Sequence, residues 1–360
     1  MKLPQDHKPY IDKYFLRSKD ILQKENLNPT VKLQVFMRKA DCNIYGIDEA
    51  IEIIKTYAPN ATIYSLQEGD HADPCETIMV IEGKVQDIID LETMYLGVIS
   101  AETTKKVDNR DINLEEIELG MKAVVDLAGT RPVMYMGARH WRWDMDAEIS
   151  QACFKGGAAE CSTDIGAATV GKKGAGTIPH ALEAVFHWQM RDISLAVLGA
   201  IRAFDKHILK EVPRIALVDY ANQEIWDTIR CQMHLQERLW GIRIDTCGEN
   251  YMEGVMPYIG SGIASKGVSL KGVYLIRKML NDAHLDKVNI CLSSGFANPE
   301  KVKLFVDAEK ELGMRLFDML GIGQVFYSRV TTGDIIEVEG ESIHKVGRPY
   351  RPNPRLRQVA

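Results

Sequence analysis

MGARHWRWDMDAEISQACFKGGAAECSTDIGAATVGKKGAGTIPHA, residues 136–181, is the stretch on which the reading of the fold turns. Gly137-Ala138-Arg139-His140, Ser162-Thr163-Asp164, a Gly/Lys-rich loop and Gly176-Thr177-Ile178-Pro179-His180 each follow, or stand where they can follow, a short apolar strand. Strand, polar turn and helix in repetition is how an α/β barrel lays out an anion-binding mouth. The rhythm continues downstream. Arg214–Val218 runs into Asp219, Gly241–Ile244 into Asp245, Val288–Leu292 into Ser293-Ser294-Gly295, and Leu316–Leu320 into Gly321-Ile322-Gly323. Helical spacing fills the intervals at 144–154, 177–204, 223–236, 270–282 and 299–312, with Thr177 and Asn298 placed to cap the second and last of these. This alternation predicts parallel β/α units. Periodicity alone leaves a barrel and a doubly wound open sheet on equal terms.

Upstream the pattern differs. Residues 1–30 read as an arm ending at Asn28-Pro29, followed by strands at 31–37, 62–66 and 77–82 and helices at 46–57, 90–100 and 114–127. The tail from Gln324 holds two strand-like runs and a Pro/Arg-rich end, and is expected to return to the first sheet. The expected division is a smaller α+β domain from 1–120 and 325–360, and an α/β-barrel catalytic domain at 121–324. The glycine-rich stretch 254–267 receives no assignment.

The 360 residues are 46% hydrophobic and 26% charged, ordinary for a globular chain with a sizeable core. A net charge of −6 without a basic block argues against nucleic-acid and membrane-surface binding, so an anionic ligand must be held by local groups. No apolar run is long enough for a membrane span and the charged N-terminus lacks a signal-peptide core, so a cytoplasmic protein is expected. The seven cysteines are scattered and form no CxxC pair; reduced core thiols are expected.

The candidate chemistry lies at the strand ends. Loops after the last two strands of a barrel commonly bind phosphate through backbone N–H groups, which singles out Ser293, Ser294, Gly295, Gly321 and Gly323. Asp219 and Asp245, with Glu224 and Glu249 nearby, can bind ribose hydroxyls, hold Mg²⁺ or stabilise a cationic transition state; each can equally be a helix cap. Arg139, Arg142, Lys155, Lys172 and Lys173 supply positive charge, and a guanidinium such as Arg139 can fork onto a carboxylate or phosphate. His180 suits a general base or a nucleophile toward phosphate. His140 is open to the same roles, though its neighbours Trp141 and Trp143 suggest a packed shelf. Tyr14 and Phe15 can stack a flat ring or anchor an interface. The nine histidines form no HxH or HExxH, which disfavours a metal hydrolase, and no strand-end lysine offers a Schiff base to a lyase or aldolase.

Taken in order, the motifs resemble the nicotinate phosphoribosyltransferases and their nicotinamide and quinolinate relatives. The likeness rests on Asp12-Lys13-Tyr14-Phe15, Leu91-Glu92-Thr93-Met94-Tyr95-Leu96-Gly97, Gly137-Ala138-Arg139, Gly176-Thr177-Ile178-Pro179-His180, the strands ending in Asp219 and Asp245, and Gly321-Ile322-Gly323. It implies an irregular β/α barrel, the type II phosphoribosyltransferase fold, packed on a smaller domain built from both chain ends. It implies a homodimer or larger homo-oligomer whose sites take an aromatic, here Tyr14 or Phe15, from the neighbouring chain. The implied reaction makes nicotinate mononucleotide and pyrophosphate from nicotinate and phosphoribosyl pyrophosphate, a step of NAD biosynthesis, with Mg²⁺ and with ATP as co-substrate phosphorylating His180. His180, Asp219 and Asp245 are then the catalytic candidates, and Asp219 and Asp245 the Mg²⁺ candidates. Tyr14, Phe15, Arg139, His140, Ser162, Thr177, Arg243, Ser293, Ser294, Gly295, Gly321 and Gly323 are the substrate-binding candidates. Quinolinate or nicotinamide as the base, and a non-catalytic phosphoribosyl-binding paralogue, are the alternatives. Departures from the pattern are His140 where a second arginine is common, Thr246-Cys247-Gly248-Glu249 after Asp245, and no C-terminal cysteine cluster, so no structural zinc is expected.

Overall fold

Short runs of apolar residues become central strands when both faces of a sheet are covered. In a computed structural model, described for residues 2–256 and 265–359, six such runs pair in parallel. Their order is Glu160–Cys161, Val133–Tyr135, Met319–Ile322, Asn289–Leu292, Leu239–Ile244 and Arg214–Leu217. Leu292 lies opposite Ile244 on one side and Leu320 on the other, and Ile322 lies opposite Tyr135. All five side chains are buried, which fixes the register. The sheet curves into a half-barrel whose outer strands do not pair with each other. The chain just before His180 threads this gap: Ala175 N–H donates to the Cys161 carbonyl at 2.9 Å and the Thr177 hydroxyl to the Ile215 carbonyl at 3.0 Å. The expected irregular barrel is thus an open one, stitched along one side by single hydrogen bonds.

A second, antiparallel sheet joins both chain ends, in the order Glu341–Ser342, Thr331–Val338, Thr30–Met37, Thr77–Lys84, Thr62–Ser65 and Arg357–Gln358. Val35 faces Met79 on one side and Gly333 on the other. Helix Glu92–Asp108 is buried along most of its length and lies beside this sheet, where Ser100 and Thr331 hydroxyls meet at 2.7 Å. Its Gly97 has a packing reason: a Cβ there would sit 2.1 Å from the Trp141 carbonyl oxygen. Only glycine lets the helix touch the turn that carries Arg139.

Two helical readings change. The N-terminal arm contains a helix, Lys13–Lys24, with Tyr14, Phe15, Ile21 and Leu22 buried. The long helical pattern at 177–204 is two helices, His180–Met190 and Ala196–His207. The break is at Arg191, held at φ 57, after which the Asp192 side chain accepts from Ser194 N–H and starts a new turn. Thr177 is not the cap of the first of these, because Pro179 holds that position. Of the unassigned stretch 254–267, residues 257–264 lie outside the described residues. All seven cysteines are free and six are buried. Among the described residues no helix is long and apolar enough to cross a membrane.

Candidate active site

The C-terminal ends of the parallel strands open into a cavity of about 740 Å³, covered from the other side by residues of the antiparallel sheet. Strand ends converge on it because each parallel strand delivers its next residue to the same rim. Tyr14, Phe15, Arg139, His140, His180, Arg243, Asp245, Ser293, Ser294, Gly295, Gly321 and Gly323 all line it. Three expected residues do not. The Ser162 carbonyl accepts from Lys13 N–H at 2.7 Å, and its buried hydroxyl has no partner among the described residues. The Thr177 hydroxyl is spent on Ile215. Asp219 lies beneath the lining, fully buried.

Asp219 belongs to a compact ionic cluster. Its Oδ1 is 3.1 Å from His180 Nε2, its Oδ2 accepts from Lys345 Nζ, and that Nζ is also 3.0 Å from His180 Nε2. Burial would raise the Asp219 carboxyl, but Lys345 and then His180 hold it below the usual carboxylate range. Burial, then the charge of Lys345, push the His180 imidazole below its ordinary value, with Asp219 opposing. Burial acts against the charge on Lys345, yet Asp219 and Asp245 hold its pKa above the usual lysine value. The result is a neutral imidazole beside a lysine–carboxylate pair. Lys345 comes from the tail and carried no strand-end or motif signal, so the sequence reading missed it.

A second cluster ties the arm to the barrel. Thr93 Oγ1 accepts from Asp12 N–H and donates to Asp12 Oδ2, both at 3.1 Å, and Arg139 Nη1 donates to Tyr14 Oη. Arg139 Nη1 also lies 4.0 Å from Asp12 and 3.9 Å from Glu92. Burial raises the Glu92 carboxyl to about 8, with Arg139 opposing. These contacts put Tyr14 and Phe15 in the cavity of their own chain.

Arg243 stands apart from these pairs. Only 7% exposed, it lies 6.0 Å over the Tyr14 ring centroid and donates through Nη2 to the Ile178 carbonyl at 3.1 Å. Among the described residues its Nε has no partner and no carboxylate lies within ion-pair distance. A buried cation without a counter-charge is costly, and a ligand carboxylate can supply the missing partner.

The other end of the cavity is built of close-packed backbone. A Cβ on Gly323 would lie 2.5 Å from the His140 ring, and one on Gly137 would lie 2.3 Å from the Gly323 carbonyl oxygen. Burial, then Arg139, lowers His140 to about 3, so it packs as a neutral ring and does not replace the second arginine. The antiparallel sheet and tail add Arg38, Lys39 and Arg348, also missed from sequence. Glu249 reaches Arg38 at 3.2 Å and Arg348 at 3.5 Å. Burial works against its charge, but Arg348 and Arg38 hold the Glu249 carboxyl down to about 2.

For Mg²⁺, Asp219 does not fit, since both of its oxygens are engaged by His180 and Lys345. Asp245 does fit: it lines the cavity and its carboxylate takes no protein hydrogen bond among the described residues. One carboxylate with substrate phosphate oxygens and water is a common Mg²⁺ arrangement.

Comparison with known proteins gives the following. The family described as "Quinolinate phosphoribosyl transferase, N-terminal domain" matches residues 12–102. No curated protein matches the chain. A Saccharomyces cerevisiae protein provisionally assigned as a nicotinate phosphoribosyltransferase has a similar structure, with TM-score 0.68 and 17% identity over 96% of this chain and 94% of that one. A nicotinate phosphoribosyltransferase from Porphyromonas gingivalis gives 0.65 and 13% over 94% and 92%. One from Vibrio cholerae gives 0.62 and 14% over 94% and 87%.

Proposed function

We propose that the chain, whose residues 12–102 match the quinolinate phosphoribosyltransferase N-terminal domain and whose fold is similar to those of nicotinate phosphoribosyltransferases, is a type II phosphoribosyltransferase that acts on nicotinate. The observation that carries this reading is Arg243, a buried cation with no carboxylate in ion-pair distance among the described residues, beside an aromatic ring in the cavity that also holds two glycine turns. A nicotinate carboxylate satisfies Arg243 while its ring lies along Tyr14. A neutral nicotinamide would leave the guanidinium unpaired, which disfavours it.

With the base so held, its ring nitrogen attacks C1 of phosphoribosyl pyrophosphate, the C1–O bond breaks and pyrophosphate leaves. Tight positioning does most of the work in such a displacement, and the Asp245 carboxylate favours the positive charge that develops on the ribose. The 5-phosphate is assigned to the turns at 293–295 and 321–323. Asp245 would hold Mg²⁺, which would supply charge neutralisation to the leaving pyrophosphate. His180, neutral and among the described residues without a partner at Nδ1, is assigned as the acceptor of a phosphoryl group from ATP. Quinolinate is the second reading, favoured by the N-terminal domain match. Its extra carboxylate would need another free cation, and Lys39, exposed at the cavity rim, is one.

The same proposal includes a homodimer or larger homo-oligomer, measured by sedimentation. Mixing Tyr14→Ala with His180→Ala protein then tells whether an arm serves its own cavity, which gives no recovered activity, or a neighbour's, which does. The smaller domain is proposed as 1–120 with 325–360; helix Leu114–Ala128 crosses that boundary, so the exposed loop before it is where limited proteolysis should cut. The deciding assay offers nicotinate, nicotinamide and quinolinate separately, with phosphoribosyl pyrophosphate and Mg²⁺, with and without ATP. Nicotinate turnover raised by ATP, with the ATP effect lost in His180→Ala, is the expected result. No mononucleotide from any base would sink the catalytic reading.

A further inference from the structure

The reaction as assigned leaves Lys301 without a role. It sits in the first turn of helix Pro299–Leu312, where the positive end of the helix dipole disfavours a cation. Among the described residues it has no carboxylate partner. Instead its Nζ donates to the Ser294 carbonyl at 2.9 Å and lies 4.4 Å from the centroid of the Phe296 ring. Lys301 does not line the cavity, whereas Ser293, Ser294 and Gly295 do. The ammonium therefore stands behind the turn.

The backbone of the turn explains what an ammonium there can do. Ser294 and Gly295 both have positive φ, 65 and 89. A trans peptide directs its C=O and N–H to opposite sides. With the Ser294 carbonyl held on Lys301, the Gly295 N–H faces away from the lysine, toward the cavity. Ser293 N–H is taken by the Ile244 carbonyl at 3.0 Å, but the N–H groups of Ser294, Gly295 and Phe296 have no protein acceptor among the described residues. Successive free N–H groups in such a turn form an anion-binding concavity. Burial lowers the Lys301 ammonium to about 8, with Asp245 opposing as the one charged group acting on it among the described residues.

We propose that Lys301 is a positioning residue for the phosphoribosyl phosphate: from behind the turn it fixes the Ser294–Gly295 peptide with its N–H toward the ligand and adds positive charge to the anion site. This rests on the reading of 293–295 as a phosphate turn and not on the identity of the base.

The test is calorimetric binding of inorganic phosphate and of ribose 5-phosphate to the wild-type protein, Lys301→Met, Lys301→Gln and Lys301→Arg at pH 7.0 and 9.5. The KM for phosphoribosyl pyrophosphate is measured alongside. Lys301→Met should weaken ribose 5-phosphate roughly tenfold at pH 7.0, an ordinary size for coupling between two groups. It should raise that KM with kcat within about threefold, since binding is lost and not transition-state contact. Lys301→Arg should restore most of the affinity. Wild-type affinity should fall from pH 7.0 to 9.5 as the ammonium is lost, and that of Lys301→Met should not. Lys301→Gln keeps a donor for the Ser294 carbonyl without the charge, and serves if the Met variant does not fold. Affinities within twofold of wild type and an unchanged pH response in the uncharged variants overturn the role of Lys301. Failure of the wild-type protein to bind either anion overturns the phosphate turn and this proposal with it. Absence of nicotinate turnover with anion binding intact overturns only the choice of base.

Discussion

Arg243 sets folding against function in a single side chain. Its guanidinium is 7% exposed and among the described residues no carboxylate lies within ion-pair distance; the buried Glu183 carboxyl, which burial pushes toward its neutral form, is the acidic group on which its charge acts. Arg243→Leu should raise the KM for nicotinate by roughly 100-fold, the order expected for losing a buried charge-assisted pair. The ligand-free variant should be no less stable than wild type by thermal melting, because a buried charge is replaced by an apolar group of similar bulk. A lower melting temperature with unchanged KM would mean that Arg243 only supports the fold. Glu92 makes the complementary case for pH. Burial raises its folded pKa to about 8, so the folded state holds a proton that the unfolded state gives up near pH 4.5. The folded state binds more protons between those values, and stability from this residue therefore falls as pH rises from about 4.5 to 8. Glu92→Gln, which stays neutral, should raise the melting temperature by about 2–4 °C at pH 8.5 and change it little at pH 4.5. A gain of equal size at both pH values would argue against that linkage.

At the scale of elements, most helices and strands were legible because periodicity, caps and glycines agreed. Pro299–Leu312 with Asn298 as cap, and Leu270–Asp282, lie where the spacing places them. The strand expected at 316–320 is instead Met319–Ile322, because pairing with Cys291-Leu292 and Val133–Tyr135 sets its bounds, not local hydrophobicity. The break at Arg191 was illegible for a related reason. A non-glycine residue at φ 57 is locally unfavourable, and it persists because two helices pack side by side beyond it. Gly97 reads as an ordinary helical glycine until the Trp141 carbonyl is seen against it. Gly97→Ala should therefore destabilise by about 1–3 kcal/mol, the usual cost of overpacking, despite the better helix propensity of alanine. Denaturant unfolding checks this: a stabilised variant would show that the helix can shift away without cost.

The molecule as a whole is tied together by its two ends. The arm brings Asp12 and Tyr14 to Thr93 and Arg139, and the tail brings Lys345 to Asp219 and His180. Lys345 and Asp219 are 4% and 0% exposed, so removing one partner leaves a buried charge unpaired. Lys345→Met should cost about 3–5 kcal/mol, and adding Asp219→Asn should recover a large part of it. Additive losses in the double variant would mean that the two do not act as a pair. Activity is not expected to return with stability, since His180 would have lost both neighbours.

What the sequence determined by itself was whatever is local: alternating strands and helices, caps, and polar residues immediately after strand ends. That sufficed for the α/β class and for Arg139, His180, Asp245, Ser293–Gly295 and Gly321–Gly323 on one rim. The resemblance of ordered motifs narrowed the barrel to one architecture. Only the tertiary structure decided which of those residues reach the cavity. Asp219 follows its strand as Asp245 does, yet one is buried under a lysine and the other is open. Arg38, Lys345 and Arg348 join the site from positions with no local signal, because sheet pairing between the two chain ends brings them there. A side chain's neighbours across hundreds of residues are set by packing and pairing, and periodicity carries no record of them.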